Sequence, residues 1–455
     1  MAKRTAKAKT KGKAEPGLLK RLRAHFRADP AKLPVVEQNF AFYERPNLHL
    51  AIEELFNPPE WNAKLIGIVV PEEYHSVTLS KLSQRVSAQR FQEGPVEYID
   101  VPLAGDRHLA CVKRGLYFLS ADNVPIVMLI SQEQYSRNPS IVVEVMAVDR
   151  GAAEGFVRRV TRLTRHGNAY RGQVLSVEEG CFGELTVQFH RLPRIGREEI
   201  ILPESLLQRI ERHSLSFSRH AEKLRAAGRH LKRGILLHGP PGTGKTLSAM
   251  YLATQMEGRT VLLLTGGGIK CIETACKLAR MLLPATIILE DVDLIGTERD
   301  HQTVGANALL FELLNQMDGL AEDADILFIL TSNRPEILEP ALAARPGRID
   351  QAIEVLLPDD DCRRRLFDLY GVGLKLEVSD WDALIDRTAG VSAAFIRELL
   401  RKAAVYAAEE CGNRELVVRE EHLQEALTEL LVEGGTLTQS LLGATPAPAA
   451  SSSPH

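Results

Sequence analysis

The central part of this 455-residue sequence predicts an α/β fold, a parallel sheet flanked by helices over residues 196–357. A small helical lid is expected behind it at 358–433, and an α+β domain in front of it at 17–195. Three observations carry the prediction. Strand-like and helical runs alternate from Glu198 onward, a glycine-rich turn separates an apolar run from a helix, and past Pro358 only helical patterns remain.

The expected strands of the central part are the short apolar runs 235–238, 260–264, 286–290 and 326–332. Between them, 246–255, 272–283 and 307–318 have helical spacing and length. In the lid, Asp359 or Asp360 is placed to cap a helix over 362–370, and further helices are expected at 381–387, 393–410 and 419–432. The N-terminal region mixes short helices with strand-like runs at 65–70, 99–103, 115–120, 141–148 and 185–190, plus a helix over 151–163. It carries no catalytic constellation and no signature of its partner; a protein client or adaptor is what the remodelling reading below assigns to it.

Both ends read as solvated tails. Residues 434–455 are rich in Gly, Ala, Pro and Ser. Residues 1–16 hold Lys3, Arg4, Lys7, Lys9, Lys11 and Lys13 against the single acid Glu15. A nucleic-acid arm or a targeting peptide shares that composition, but a solvated tail is the simpler reading. The net charge of -3 supplies no global field towards nucleic acid or membrane. No apolar run approaches the roughly 20 residues of a membrane-spanning helix. The 6 cysteines form no CxxC pair, and Cys271 with Cys276 lacks a histidine partner, which argues against zinc and for a reducing cytoplasm.

The most specific signal is Gly239-Pro240-Pro241-Gly242-Thr243-Gly244-Lys245-Thr246, which meets the pattern G-x-x-x-x-G-K-[ST] between an apolar run and a helix. Glycines let successive N–H groups turn inward onto phosphate oxygens, and the following helix directs its positive end at the same anion. Lys245 supplies a point charge to the β- and γ-phosphates, while the Thr246 hydroxyl is a ligand for Mg²⁺. ATP and Mg²⁺ are the cofactors this predicts.

Two further features make the site hydrolytic. The apolar run 286–289 leads into Glu290 and Asp291. One carboxylate is needed to orient a hydrated metal and the next to polarise water, so Glu290 is assigned the metal side and Asp291 the water. The run 326–330 ends in Thr331-Ser332-Asn333, where the amide of Asn333 is placed to hold water or contact the γ-phosphate.

With IILEDVD, LNQMDG, TSNRPEILEPALAARPGRID and Gly390-Val391-Ser392-Ala393-Ala394 in this order after GPPGTGKT, the stretch from about 202 to 430 resembles the AAA subfamily of AAA+ ATPases. The resemblance implies a P-loop NTPase AAA+ module and ATP hydrolysis to ADP and phosphate. It implies that Asn333 is similar to the sensor-1 residue, and that Arg345 and Arg348 correspond to paired arginine fingers serving the neighbouring subunit's nucleotide. A guanidinium suits that task because it stays charged and presents a planar fork. Head-to-tail contacts of this kind close into rings, so a homohexamer is the implied form.

The chain departs from the family's pattern in two places. Most relatives carry Asp-Glu where Glu290-Asp291 stands, and the inverted order resembles that of AAA translocases of the mitochondrial inner membrane. Members that thread polypeptide have an aromatic where this chain reads Gly266-Gly267-Gly268-Ile269-Lys270-Cys271. Ala394 stands where distant branches place a second-sensor arginine, as in the subfamily proper. The zinc-protease pattern H-E-x-x-H does not occur. Two readings follow: a ring that remodels, unfolds or disassembles protein clients, or a slow-hydrolysing nucleotide-gated switch or scaffold.

Overall fold

The computed structural model describes residues 16–56, 62–71, 76–121, 124–133, 139–166, 168–180, 185–293, 305–336, 338, 348–411 and 416–433. The tails expected at 1–16 and 434–455 lie outside them, Pro16 excepted. The chain divides into two compact units, Met1–Ala169 with Glu178–Phe189, and Tyr170–Val177 with His190–His455.

The first unit is an antiparallel sheet covered on both faces. Its strands are β1 (Val35–Ala41), β2 (Asn62–Val69), β3 (Gln92–Gly94), β4 (Glu97–Pro102), β5 (His108–Ala121), β6 (Val124–Glu133) and β7 (Ser140–Ala147). They run in the order β1-β7-β6-β5-β2-β3, with β4 paired to β5. Alternation along a strand sends successive side chains to opposite faces. Ile126, Met128 and Ile130 therefore pack with helix α2 (Arg45–Phe56) and the later helix Arg150–His166. Val127 and Leu129 pack on the other side with α1 (Gly17–Phe26) and α3 (Leu79–Ser83). The helix Arg150–His166, α4, shows why it forms: Ala153, Phe156, Val157, Val160 and Thr164 are buried at helical spacing, and the arginines between them face outward.

In the second unit the sheet is parallel. Its strands are β8 (Val174–Glu179), β10 (Arg233–His238), β11 (Thr260–Leu264), β12 (Ala285–Leu289), β13 (Ile326–Ser332) and β14 (Gln351–Glu354), while β9 (Leu185–His190) falls largely in the first unit. The order β14-β10-β13-β12-β11-β8 places β13 between β10 and β12. The four strands β10 to β13 are buried almost throughout, which is why they read as unbroken apolar runs. One face packs against α5 (Glu204–Glu211) and α6 (Lys245–Gln255). Helix α7 (Ile272–Met281) packs on β11, β12 and α8 (Gly305–Asp318), and among the described residues neither α7 nor α8 contributes to the core on that face.

Two sequence expectations change here. β8 pairs in parallel with β11, Val261 opposite Val174, so the parallel sheet takes in sequence that the boundary near 195 had assigned to the N-terminal domain. A single short strand carries no mark of which sheet it joins. The lid is also not wholly helical. Between α9 (Asp360–Tyr370), α10 (Trp381–Arg387), α11 (Ala393–Cys411) and α12 (Glu420–Thr428), the three-residue strands β15 (Lys375–Glu377) and β16 (Val417–Arg419) pair in parallel. Strands of three residues are too short for a period-2 pattern to show. Asp359 does cap α9, its carboxylate accepting from the Cys362 N–H at 2.8 Å. Among the described residues no helix is long and apolar enough to cross a membrane.

A buried arginine closes the N-terminal end of the parallel sheet. Arg259, 5% exposed, donates to Thr286 Oγ1, Ser218 Oγ, the Asp325 carboxylate at 2.8 Å and the carbonyls of Ala285 and Asp325. Every arm of the guanidinium is bonded, which is what makes a buried charge tolerable.

In the first unit the buried charge is less well served. Glu144 on β7 accepts from the Leu79 N–H at 2.6 Å at the start of α3, beside Lys81 but also near Glu37 and Glu133. Burial is the main cause pushing its carboxyl up to about 7. A carboxyl raised in the folded state loses its stabilising share as pH climbs past its ordinary value towards that figure. The full chain should therefore lose stability in the first unit between about pH 4.5 and 7, by as much as about 3 kcal/mol. Glu144→Gln should flatten that slope. Denaturant midpoints across this pH range, with hydrogen exchange at Leu79 to localise the effect, would show it; parallel slopes in both proteins would refute it.

Candidate functional site

The site is assembled at the carboxyl ends of β10, β12 and β13, where open α/β sheets gather ligands. β10 delivers the phosphate loop. Gly239 has φ 138°, and a Cβ there would lie 2.4 Å from the Val355 carbonyl oxygen, so glycine is required. Gly242 has φ 75°, and a Cβ would press on Ser392 Oγ at 2.7 Å and Ala394 Cβ at 2.9 Å in the lid. Between them Pro240 accepts from Thr243 Oγ1 at 2.9 Å and Pro241 lines the cleft. Gly244 then leads into α6.

Lys245, 5% exposed, is folded back onto its own loop, donating to the carbonyls of Gly239 at 2.9 Å and Pro240 at 2.7 Å. Burial lowers its pKa, and the nearby carboxylates of Asp291 and Asp293 oppose that. An ammonium held only by carbonyl dipoles can exchange them for phosphate oxygens. Thr246 follows, exposed at the head of α6.

β12 ends at Leu289, one residue short of the expected bound, and the Glu290 N–H still donates to the Leu264 carbonyl at 3.2 Å. Glu290 Oε1 is buried and makes no hydrogen bond among the described residues. Burial, with Asp291 second, raises its pKa. A desolvated carboxylate oxygen with no donor suits a cation. Together with the Thr246 hydroxyl it is an oxygen donor of the kind Mg²⁺ would take. Asp291 has φ 48°, the left-handed region that a non-glycine residue adopts at a cost.

β13 holds that turn in place. Thr331 and Ser332 are both fully buried. Thr331 Oγ1 accepts from the Asp291 N–H at 3.0 Å, and its carbonyl accepts from the Val292 N–H at 3.0 Å. On the other side the Ser332 carbonyl accepts from the Gly239 N–H at 3.3 Å. Asn333 donates its side-chain amide to Asp291 Oδ1 at 3.2 Å and its backbone N–H to Asp293 Oδ1 at 3.0 Å. Asp293, Thr331 and Ser332 were not singled out in the sequence. All three stand in the quoted motifs, but only the fold shows what they bond to.

The lid completes the cleft. The Ala394 N–H at the start of α11 donates to the Gly242 carbonyl at 3.2 Å. The cleft between has a volume of about 970 Å³, with Lys245, Thr246, Asp291 and Asn333 on the sheet side. On the lid side Tyr370, Val372 and Leu374 offer apolar surface. That size and mixture of surfaces suits a nucleotide.

The arginines stand apart from the cleft. Arg348 grips Asp318 at the end of α8 with a two-pronged ion pair, Nε to Oδ1 at 2.6 Å and Nη2 to Oδ2 at 2.7 Å. It is not among the described residues lining the cleft. Arg345 lies outside the described residues, as do 337 and 339–347 around it. The segment Gly266–Cys271 is a 3₁₀ helix, and the side chain of Ile269 is likewise outside the description.

Residues 235–357 match the family described as "ATPase family associated with various cellular activities (AAA)". The chain is 32% identical over 235 residues to a proteasome-activating nucleotidase of Pyrococcus horikoshii, covering 49% of this chain and 58% of that protein. It is 35% identical over 225 residues to an ATP-dependent zinc metalloprotease FtsH of Lachnoclostridium phytofermentans, covering 47% and 38% respectively. The match thus spans about half of each relative's length or less.

The pairing of Thr331 with Asp291 yields a prediction. Thr331→Val keeps the shape but removes the acceptor for a strained backbone N–H. Stability should fall by about 1–3 kcal/mol, and nucleotide turnover should fall more than nucleotide affinity. Denaturant unfolding with parallel binding and turnover assays would test this; equal losses in affinity and turnover would contradict the positioning role.

Proposed function

We propose that this chain, whose residues 235–357 match the AAA family of ATPases, hydrolyses ATP to ADP and phosphate and uses the cycle to remodel protein clients as a ring. The observation that carries the chemistry is the convergence of Lys245, Asp291 and Asn333 on one cleft at the carboxyl end of the sheet. When bound, Mg²⁺ neutralises phosphate charge and helps fix the phosphates. Thr246 and Glu290 are the residues to hold it, Glu290 in part through water.

The chain's own groups divide the remaining work. Lys245 leaves its loop carbonyls for phosphate oxygens. Asp291 accepts the proton of the attacking water, and Asn333, already bonded to Asp291, shares that water or the terminal phosphate. Arg345 and Arg348 serve a neighbouring subunit. Arg348 does not line its own cleft, and to reach a neighbour's nucleotide its fork has to exchange Asp318 for a phosphate. A ring, with six copies as the expected number, follows from a finger used in trans.

The protein client is supported by what the relatives' names describe, proteasome activation for one and proteolysis for the other. The antiparallel first unit is the candidate for client or adaptor selection, and the cytoplasm is the proposed setting. A second reading, a slow nucleotide-gated switch, is favoured by the hydrogen bond that ties the Asp291 carboxylate to Asn333. Single-turnover hydrolysis at saturating ATP separates the two: undetectable turnover by the wild-type chain would leave only the switch.

For the trans assignment, Asp291→Asn should keep ATP affinity within a few fold while turnover drops by roughly 10²–10⁴. Arg348→Ala should lose on the order of 10³ in turnover. Mixing the two inactive full-length variants should restore activity, because the first contributes an intact arginine and the second an intact cleft. No recovery on mixing, with both proteins assembled, would overturn it.

A further inference from the structure

The lid carries a cation for which the roles above have no use. Helix α11 presents Ala394, Arg397, Leu400, Arg401 and Ala404 to the cleft, a stripe at helical spacing. The two arginines are not equivalent. Arg401 is neutralised by the two-pronged ion pair its guanidinium makes with Glu398, at 2.8 and 2.6 Å. Arg397 is exposed and, among the described residues, makes no hydrogen bond and no ion pair; its charge is felt by Tyr370 across the lid.

Its position along the stripe is specific. One turn before it, the Ala394 N–H is bonded to the Gly242 carbonyl of the phosphate loop. Further along the helix the cleft wall becomes apolar, with Ala404 over the buried Leu400 alongside Val372, a valine left 81% exposed. Helical side chains lean towards the N-terminus of their helix, so Arg397 leans from the apolar surface towards the phosphate loop. An apolar end suits a nucleobase and the loop end suits phosphates. A guanidinium between them, with no ion-pair partner among the described residues, is suited to an anion.

We propose that Arg397 binds the phosphate chain of the nucleotide from the lid of the same subunit. The inference rests on the ATP-binding reading of the cleft. Within it, Lys245 and Arg397 approach the phosphates from opposite walls, so nucleotide binding draws the lid onto the sheet. Arg397 is thereby a binding and positioning residue that no motif in the sequence marks.

The test measures ATP and ADP affinity of the full chain by calorimetry at two salt concentrations, for the wild type, Arg397→Gln and Arg397→Lys. Charge-assisted hydrogen bonds of this kind predict that Arg397→Gln weakens both nucleotides by about tenfold or more. Arg397→Lys should recover part of that loss, and the wild-type advantage over Arg397→Gln should shrink as salt rises. The unfolding midpoint without nucleotide should stay put, since no described contact is removed. Unchanged affinity in Arg397→Gln would overturn the proposal, and so would a loss that ignores salt and is not eased by lysine. Those outcomes leave ATP binding intact. Failure of the ATPase reading looks different: the wild-type chain would bind neither nucleotide, or Lys245→Ala would bind both as well as the wild type.

Discussion

The site depends on the last two residues of one strand. Thr331 and Ser332 end β13, the strand that lies between β10 and β12, and each reaches one way. Thr331 pins the left-handed turn at Asp291, and the Ser332 carbonyl pins the first glycine of the phosphate loop. Loop and acids come from strands that are not hydrogen-bonded to each other. Without a rigid strand between them nothing would set their separation, and hydrolysis is a reaction in which positioning dominates.

The same end of the sheet is where the unit departs from the low-energy choice. Lys245 and Glu290 are both desolvated, each with its pKa displaced towards the neutral form, and Glu290 Oε1 has no donor among the described residues. At the opposite end of the sheet, Arg259 is as deeply buried, yet each of its nitrogens is bonded. The contrast separates roles on physical grounds. A saturated buried charge is architectural, whereas an unsaturated one beside a cleft waits for a ligand.

The lid adds a second kind of control. Its helix α11 touches the phosphate loop through the Ala394 N–H, and Gly242 has no room for a side chain because the lid lies against it. The phosphate loop and the lid are therefore linked through one backbone hydrogen bond and through close packing of Ser392 and Ala394 on Gly242. The proposed contact of Arg397 would extend that link by one turn, with charge in place of shape.

The amino-acid sequence by itself determined the elements and the chemistry that local rules govern. Alternating buried strands and amphipathic helices, the phosphate loop, the acids after β12 and the Asp359 cap all follow from periodicity, turn residues and spacing over a few positions. What only the tertiary structure decided involves partners distant in sequence. β8 joins the parallel sheet because Val174 meets Val261, and β15 finds β16 some 40 residues away, pairings no local pattern encodes. Thr331 became the joint of the site, Arg348 met Asp318, and Arg397 came to face the phosphate loop for the same reason. Local preference sets what a segment becomes, but which groups share a cleft is set by the packing of strands and lid.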